Sequence, residues 1–234
     1  MRMSHLFYWL LLVLSVFTLQ IHSARAAEAE KEAVRVKDAR EVMEEIMQIP
    51  EKAIPPSLLA DAQAIAIVPN VIKAGFIVGG RFGQGVVMVR DQKTHVWSDP
   101  VFLTLAGGSF GWQIGAQSAD VILVFKNRRG LNNLVNGKFT LGADASVAAG
   151  PVGRNAAAAT DVQMKSEIYS YSRSRGLFAG LALDGSVLNI DHDADAAYYG
   201  KPGITAGDIF DGKAPKHPEE IKALRAIIVK YAGG

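Results

Sequence analysis

Five consecutive residues, Gly107-Gly108-Ser109-Phe110-Gly111, fit the G-x-S-x-G pattern that surrounds a nucleophilic serine. The pattern follows a strand-like segment, as a nucleophile elbow does. Such an elbow also needs a helix directly after the serine, whereas residues 112–124 contain Gly115 and are typical of a strand. The sequence therefore favours a glycine-rich strand at this point and leaves a serine hydrolase that uses Ser109 as an alternative.

The catalytic partners for such a serine are not fixed by the sequence. His192 or His217 would have to act as the base, with Asp184 or Asp191 as the orienting acid. No spacing in the chain selects one pair over the others. The hydrolase hypothesis thus depends on Ser109 alone.

Asp191, Asp193 and Asp195 resemble the opening of a calcium-binding loop. A complete EF-hand loop beginning at Asp191 needs glycine at its sixth position and glutamate at its twelfth, and the chain has Ala196 and Pro202 there. A looser calcium site and an exposed acidic turn both remain open. The five histidines are too scattered for zinc, so we predict neither a metal site nor a cofactor.

Basic residues in predicted turns are the third set of candidate functional residues. They are Lys73, Arg81, Arg128, Arg129, Arg154, Arg173 and Arg175. Guanidinium groups bind pairs of phosphate oxygens, so turns that present arginine are good phosphate receptors. We expect these cations to converge on one face, where Gly79, Gly80 and Gly83 would let a ligand approach the backbone.

Glycine recurs from Gly75 to Gly115 between short apolar, β-branched and aromatic stretches. This pattern suits strands that bend or approach another backbone closely. The spacing Gly80-x-x-Gly83-x-Gly85 is reversed relative to a dinucleotide-binding loop, and no helix is predicted after it. We interpret the segment as a contact surface and predict short strands at 64–68, 76–78, 86–90, 101–106 and 120–126, with a glycine turn near residue 80.

The composition bounds the remaining possibilities. Residues 1–26 have a basic start, an apolar stretch and the small-x-small pattern Ala24-Arg25-Ala26, so we predict a signal peptide cleaved after Ala26 and a periplasmic or secreted protein. The remaining 208 residues carry 23 basic and 23 acidic residues, which gives no support for nucleic-acid binding. With no cysteine in the chain, disulfides and thiol chemistry are excluded.

The predicted elements give an α+β class. Residues 28–48 form an amphipathic helix, short helices are expected at 57–61 and 128–135, and a final helix begins near Pro218. Strands are expected at 139–148, 167–172 and on both sides of the Asp184-Gly185 turn. We predict one domain with an antiparallel, glycine-kinked sheet or partial barrel, against which the N- and C-terminal helices pack.

Nine segments together resemble the SYLF domain family, also called the lipid-binding or actin-binding SYLF domain. They are AIAIVP at 64–69, KAGF at 73–76, the glycines of 79–85, WSDP at 97–100, GWQIG at 111–115, AGPVGR at 149–154, YSYS at 169–172 with RGLFAG at 175–180, and YYG at 198–200. The resemblance runs from about residue 54 to residue 231. It implies a binding module without catalysis, because eukaryotic relatives bind anionic membranes and some bind actin, while bacterial relatives are exported proteins.

These observations lead to one hypothesis with two alternatives. The expected organisation is a signal peptide at 1–26, an amphipathic helix at 27–53 and a SYLF-type domain at 54–234. The expected function is non-enzymatic binding of anionic phospholipid head groups at a membrane surface, through the basic residues above. The alternatives are the Ser109 hydrolase and a module that binds another protein of the cell envelope.

Overall fold

The computed structural model describes residues 2–49, 53–135, 137, 139–152, 166–173 and 183–233, and their side chains from residue 25 onwards except at 75–78 and 109–116. The helices are α1 (Arg2–Met47), α2 (Pro56–Ala60), α3 (Arg128–Val135), α4 (His192–Tyr199), α5 (Ala206–Phe210) and α6 (Glu219–Ala232). The strands are β1 (Ala64–Val89), β2 (Val101–Phe125), β3 (Phe139–Thr140), β4 (Val147–Ala149), β5 (Ile168–Arg173) and β6 (Val187–Ile190). The predicted α+β class is confirmed.

The described strands form one curled sheet, a partial barrel, in the order β3-β6-β2-β5-β4. One edge of β2 pairs with β1 along most of its length, and its other edge pairs with β6 near its start and with β5 near its end. These pairings are antiparallel, as predicted, whereas β4 runs parallel to β5. The long β1–β2 ribbon is therefore the frame on which the other strands are placed.

The glycine segment does not form the predicted turn between short strands. β1 is continuous over 26 residues and β2 over 25. The two halves of β1 instead lie against each other: Arg90 N–H donates to Gln63 O at 2.9 Å. A Cβ atom at Gly85 would lie 2.1 Å from Ile67 O, so only glycine allows the two segments to come this close. The glycines bend the ribbon and let it pack on itself.

Helix α1 contains the predicted amphipathic helix and packs on β1, α4 and α6. Its buried face includes Val36, Ala39, Met43 and Ile46, each at 0% exposure, with the three- and four-residue spacing of one helix side. The helix is unbroken across Ala26, the predicted cleavage point. The signal peptide, the boundaries at 27 and 54 and the exported location stay predictions. Among the described residues, no helix has the length and apolar character needed to cross a membrane.

The elements of the second half of the chain agree in part with those predicted from the sequence. Helices α3 and α6 are confirmed, and Pro218 is the N-cap of α6. The region predicted as one strand at 139–148 contains two short strands, β3 and β4. Gly185 has φ = 75° before β6, as a tight turn requires, but the strand predicted at 177–183 lies almost entirely outside the described residues. Helices α4 and α5 were not predicted.

Candidate functional site

A shallow groove of about 310 Å³ lies between α1 and the place where β1 packs on itself. Three large apolar side chains line it and remain open to solvent: Val34 is 45% exposed, Ile72 is 54% exposed and Phe82 is 52% exposed. Single exposed apolar residues are ordinary on a protein surface, but several that share one groove mark a contact site. We define these three residues as the apolar groove.

The local structure of β1 explains why its apolar side chains face outward here. The pairing of β1 with β2 shifts register between Val68 and Val71, and Asn70 in this bulge has φ = 50°. Asn70 N–H donates to Asp120 Oδ1 at 3.0 Å, which holds the bulge in place. A bulge re-aims the side chains that follow it, and Ile72 follows directly.

Close packing inside β1 brings Phe82 and Ile72 to the same groove. A Cβ atom at Gly83 would lie 2.8 Å from side-chain atoms of both Val68 and Val71, so this glycine contacts the protein itself. The close approach that we predicted at Gly83 is therefore internal. Gly80 differs, because a Cβ there would meet only Gly107 O at 3.9 Å.

Charged residues from α1 complete the groove. Lys31 is exposed and lies 2.8 Å from Glu28, while Asp38 is half-buried. Burial raises the pKa of Asp38, and Glu41 and Asp120 add to this effect. Arg35 also lines the groove, but it is only 7% exposed and so adds little positive charge to the surface. The groove thus combines an apolar floor with one solvated cation, Lys31, among the described residues.

The arginines predicted to form a phosphate pocket contact different elements. Arg81 is 8% exposed and donates through Nη2 to Gly108 O at 2.8 Å, and burial lowers its pKa. Arg128 donates to the carbonyl of Arg90. Arg173 pairs with Glu45 of α1 and with Asp120 Oδ2, the latter at 3.3 Å. Each of these three guanidinium groups therefore has a partner within the protein.

The other predicted residues do not add a shared pocket. Arg129 is exposed on α3. Lys73 is half-buried and follows Ile72 in β1, so its side chain points to the opposite face of the strand. Gly79 pairs with Ser109 inside the β1–β2 ribbon. Arg154 and Arg175 lie outside the described residues. The described arginines with assigned partners, Arg81, Arg128 and Arg173, each contact a different part of the fold.

The geometry also bears on the hydrolase alternative. Ser109 lies inside β2, which continues to Phe125, so no helix follows the serine as an elbow requires. His217 pairs with neither of the aspartates considered from the sequence: its Nδ1 lies 2.7 Å from Asp99 Oδ2, and Arg225 also donates to Asp99. This cluster ties the segment before α6 to the sheet and contains no nucleophile that the structure describes.

The acidic residues 191–195 form the start of α4, so the interpretation as an exposed acidic turn is wrong. Asp191 is the N-cap and accepts a hydrogen bond from Ala194 N–H at 3.1 Å. Asp195 is fully buried and accepts from Phe102 N–H at 2.9 Å, whereas Asp193 is exposed. Within the described ranges, no group of three or more histidine, aspartate or glutamate side chains is arranged to hold a metal ion.

Sequence reasoning missed Val34, Ile72 and Phe82. The alternation of side chains in a strand cannot be read through a bulge, and the bulge at Asn70 had no clear signal except the Pro69-Asn70 pair. Proximity of Phe82 to Ile72 depends on the self-packing of β1, which is a tertiary feature. The glycines at 83 and 85 were the only local indication of it.

Together the fold and the groove define an α+β module with a contact surface. Comparison with protein-family models places residues 106–231 in the family described as "Ysc84: Las17-binding protein actin regulator". The chain belongs to this Ysc84 family, and the resemblance to SYLF domains is confirmed at that level.

Curated relatives agree with this assignment. The chain is 36% identical over 183 residues to the SH3 domain-containing YSC84-like protein 1 of Xenopus laevis, which covers 78% of this chain and 54% of that protein. It is 34% identical over 180 residues to Protein YSC84 of Saccharomyces cerevisiae, covering 76% of this chain and 38% of that protein. The chain thus spans between about a third and about a half of these relatives' length, and the name of the Xenopus protein states that it also contains an SH3 domain.

Proposed function

We propose that the protein is a non-enzymatic binding module that docks on an anionic phospholipid surface through the apolar groove. The exposure of Ile72 and Phe82 in one groove carries this proposal. Full burial of one exposed large apolar side chain contributes about 1.5–3 kcal/mol. About half of each of these two side chains is still open to solvent, so burying both contributes about as much as one complete side chain. Lys31 at the edge of the groove is exposed but pairs with Glu28, and Asp38 also lines the groove, so charge adds only a small preference for anionic head groups.

The site differs from the arginine pocket expected from the sequence. Arg81, Arg128 and Arg173 donate to groups inside the protein, so they give less support to head-group binding than the groove does. Arg129, Arg154 and Arg175 remain candidates for contact with phosphate. The proposed contact is therefore mainly apolar, with a smaller electrostatic contribution that salt would screen.

Co-sedimentation with vesicles tests the proposal. We expect the full chain to pellet with vesicles that contain about a third phosphatidylglycerol and to pellet less with pure phosphatidylcholine. The double variant Ile72→Ser/Phe82→Ser should bind at least about tenfold more weakly, because it removes apolar area from the contact. Val96→Ser is the matched control, since Val96 is 56% exposed in a turn away from the groove.

Charge variants separate the electrostatic contribution. Lys31→Glu should weaken binding to anionic vesicles, and Lys93→Glu in the turn that precedes Val96 is its control. Arg129→Ala, Arg154→Ala and Arg175→Ala test the remaining sequence-predicted residues one at a time. Equal binding by Ile72→Ser/Phe82→Ser and Val96→Ser would overturn the groove as the contact surface, and equal pelleting with both lipids would remove the anionic preference.

A protein partner is the second candidate, because the matching family is described as Las17-binding. An exposed apolar groove of this size also suits a side chain of a partner protein. Cross-linking from a photoreactive residue placed at Phe82, in an extract that contains membranes, distinguishes the two. Adducts with lipid support the first proposal, and a discrete protein adduct supports the second.

A further inference from the structure

A buried polar cluster lies where α1 crosses α4. Arg35 of α1 is 7% exposed, and its Nη2 donates to Glu32 Oε1 at 3.0 Å. Its Nη1 lies 3.5 Å from Asp191 Oδ2 at the start of α4. The guanidinium group also lies 5.4 Å from the ring centroid of Phe102, so it touches α1, α4 and β2 at once. We name Glu32, Arg35, Asp191 and Asp195 the α1–α4 cluster.

The cluster contains more acids than bases. Three carboxyl groups, those of Glu32, Asp191 and Asp195, face one buried guanidinium, and Lys31 reaches Glu32 only from the rim at 3.8 Å. Asp195 has 0% exposure; its Oδ1 accepts from Phe102 N–H, and its Oδ2 has no hydrogen-bond partner among the described residues. A buried carboxylate without full compensation is unfavourable, and a proton on it removes the excess charge.

Burial raises the pKa of Asp195 to about 7, and Asp191 and Glu32 add to this effect. The hydrogen bond from Phe102 N–H and the charge of Arg35 oppose it. Burial likewise raises the pKa of Glu32. The charged groups that face Asp195 are thus Asp191 at the start of its own helix and Glu32 and Arg35 on α1. Strand β2 supplies the backbone N–H of Phe102. Tyr199, a further titratable residue, lies on α4 as well.

We propose that the α1–α4 cluster is a proton-dependent latch: α1 is held on α4 when Asp195 carries its proton and is loosened when Asp195 is ionised. The direction of the pH effect follows from the linkage between proton binding and the docking of α1. Because ionisation is easier in water than in the cluster, a state with α1 detached releases the proton more readily, so rising pH favours detachment up to the titration point of the docked state. Below about pH 4 the group is protonated in both states and the effect disappears.

The latch links pH to the apolar groove. Lys31 and Val34 form the α1 side of that groove and lie on the same helical turns as Glu32 and Arg35. Loosening of α1 would therefore widen or remove one wall of the groove. The latch itself does not depend on what the groove binds, so its test uses the protein without any ligand.

Hydrogen exchange of the full chain between pH 5 and pH 8, corrected for the intrinsic exchange rate, tests the latch. We expect the opening equilibrium of the α1 amides at 33–46 to rise with pH by up to about tenfold per unit and to level off above pH 7. The amides of β6, which pairs with β2 and β3 in the sheet, serve as the internal reference. Asp195→Asn keeps an acceptor for Phe102 N–H but cannot ionise, so it should abolish the pH response.

Asp193→Asn is the matched control, because Asp193 is exposed on the same helix, and it should behave as the wild type. An unchanged α1 response in Asp195→Asn overturns the proposal, and so does an equal response of α1 and β6, which would indicate global unfolding. If Asp195→Asn does not fold, the carboxyl carbon of Asp195 can be followed by NMR in the wild type. A titration midpoint below pH 5 would then refute the latch.

Discussion

At the scale of single residues, the glycines of the β1–β2 ribbon divide into two groups. Gly83 and Gly85 lie where a side chain would collide with the other half of β1. A Cβ atom added at Gly107 would likewise lie 2.8 Å from the Ser186 hydroxyl oxygen. Gly108 has no atom within 4 Å of such a Cβ. The first group is required by packing, whereas Gly108 leaves open space. Identical residue types in one motif therefore have different roles.

A pair of substitutions tests this division. Gly85→Ala should lower the free energy of unfolding by about 3 kcal/mol, because its Cβ would overlap the backbone carbonyl of Ile67, which cannot move away as a side chain can. Gly108→Ala should change it by less than about 1 kcal/mol. Urea unfolding followed by tryptophan fluorescence measures both. A similar loss in the two variants would show that strand conformation, and not close packing, selects glycine here.

At the scale of elements, the sequence predicted well wherever an element was local and amphipathic. Residues 28–48, 128–135 and the helix after Pro218 were identified because a 3.6-residue apolar period and end signals agree there. The long strands were cut into pieces because glycine normally interrupts a strand. Here the glycines stay within the pairing of β1 and β2, and only the contact between the halves of β1 explains why.

The missed helices had signals that were not used. Asp191 and Gly200 stand at the two ends of α4, with Gly200 in the left-handed conformation that ends a helix. Thr205 and Asp208 form a capping box at the start of α5. Both helices are short, so their apolar period spans too few residues to be recognised. The aspartates of 191–195 were therefore interpreted by their charge instead of by their capping geometry.

The cap of α5 gives a prediction at this scale. Thr205 Oγ1 accepts from Asp208 N–H at 3.1 Å and donates to Asp208 Oδ2 at 2.8 Å. Thr205→Ala should lower the free energy of unfolding by about 1 kcal/mol, since the first-turn N–H loses its partner. Thr205→Ser keeps the hydroxyl and should be nearly neutral. Thermal unfolding of the two variants measures the difference, and equal destabilisation would assign the effect to the lost methyl group instead.

At the scale of the whole molecule, α1 connects the predicted export signal with the folded domain. The described buried apolar side chains of α1 all lie between Ala33 and Ile46, and they contact β1, α4 and α6. The candidate site could not be predicted at this scale from the sequence, because it depends on how α1 lies across the packed halves of β1. The arginines show the same limit: Arg81 and Arg173 have the residue type of a phosphate ligand but have partners inside the fold.

Two truncations test the division of α1 into a signal and a structural segment. A chain that begins at Ala27 should unfold at the same temperature as the full chain and bind vesicles equally, because it keeps every described buried contact of α1. A chain that begins at Gln48 should be strongly destabilised and bind a hydrophobic dye, since it exposes the apolar surface that Val36, Met43 and Ile46 cover. Mass spectrometry of the exported protein should give Ala27 as its first residue. A marked loss of stability on removal of residues 1–26 alone would mean that this segment belongs to the folded domain, and the predicted cleavage after Ala26 would then be wrong.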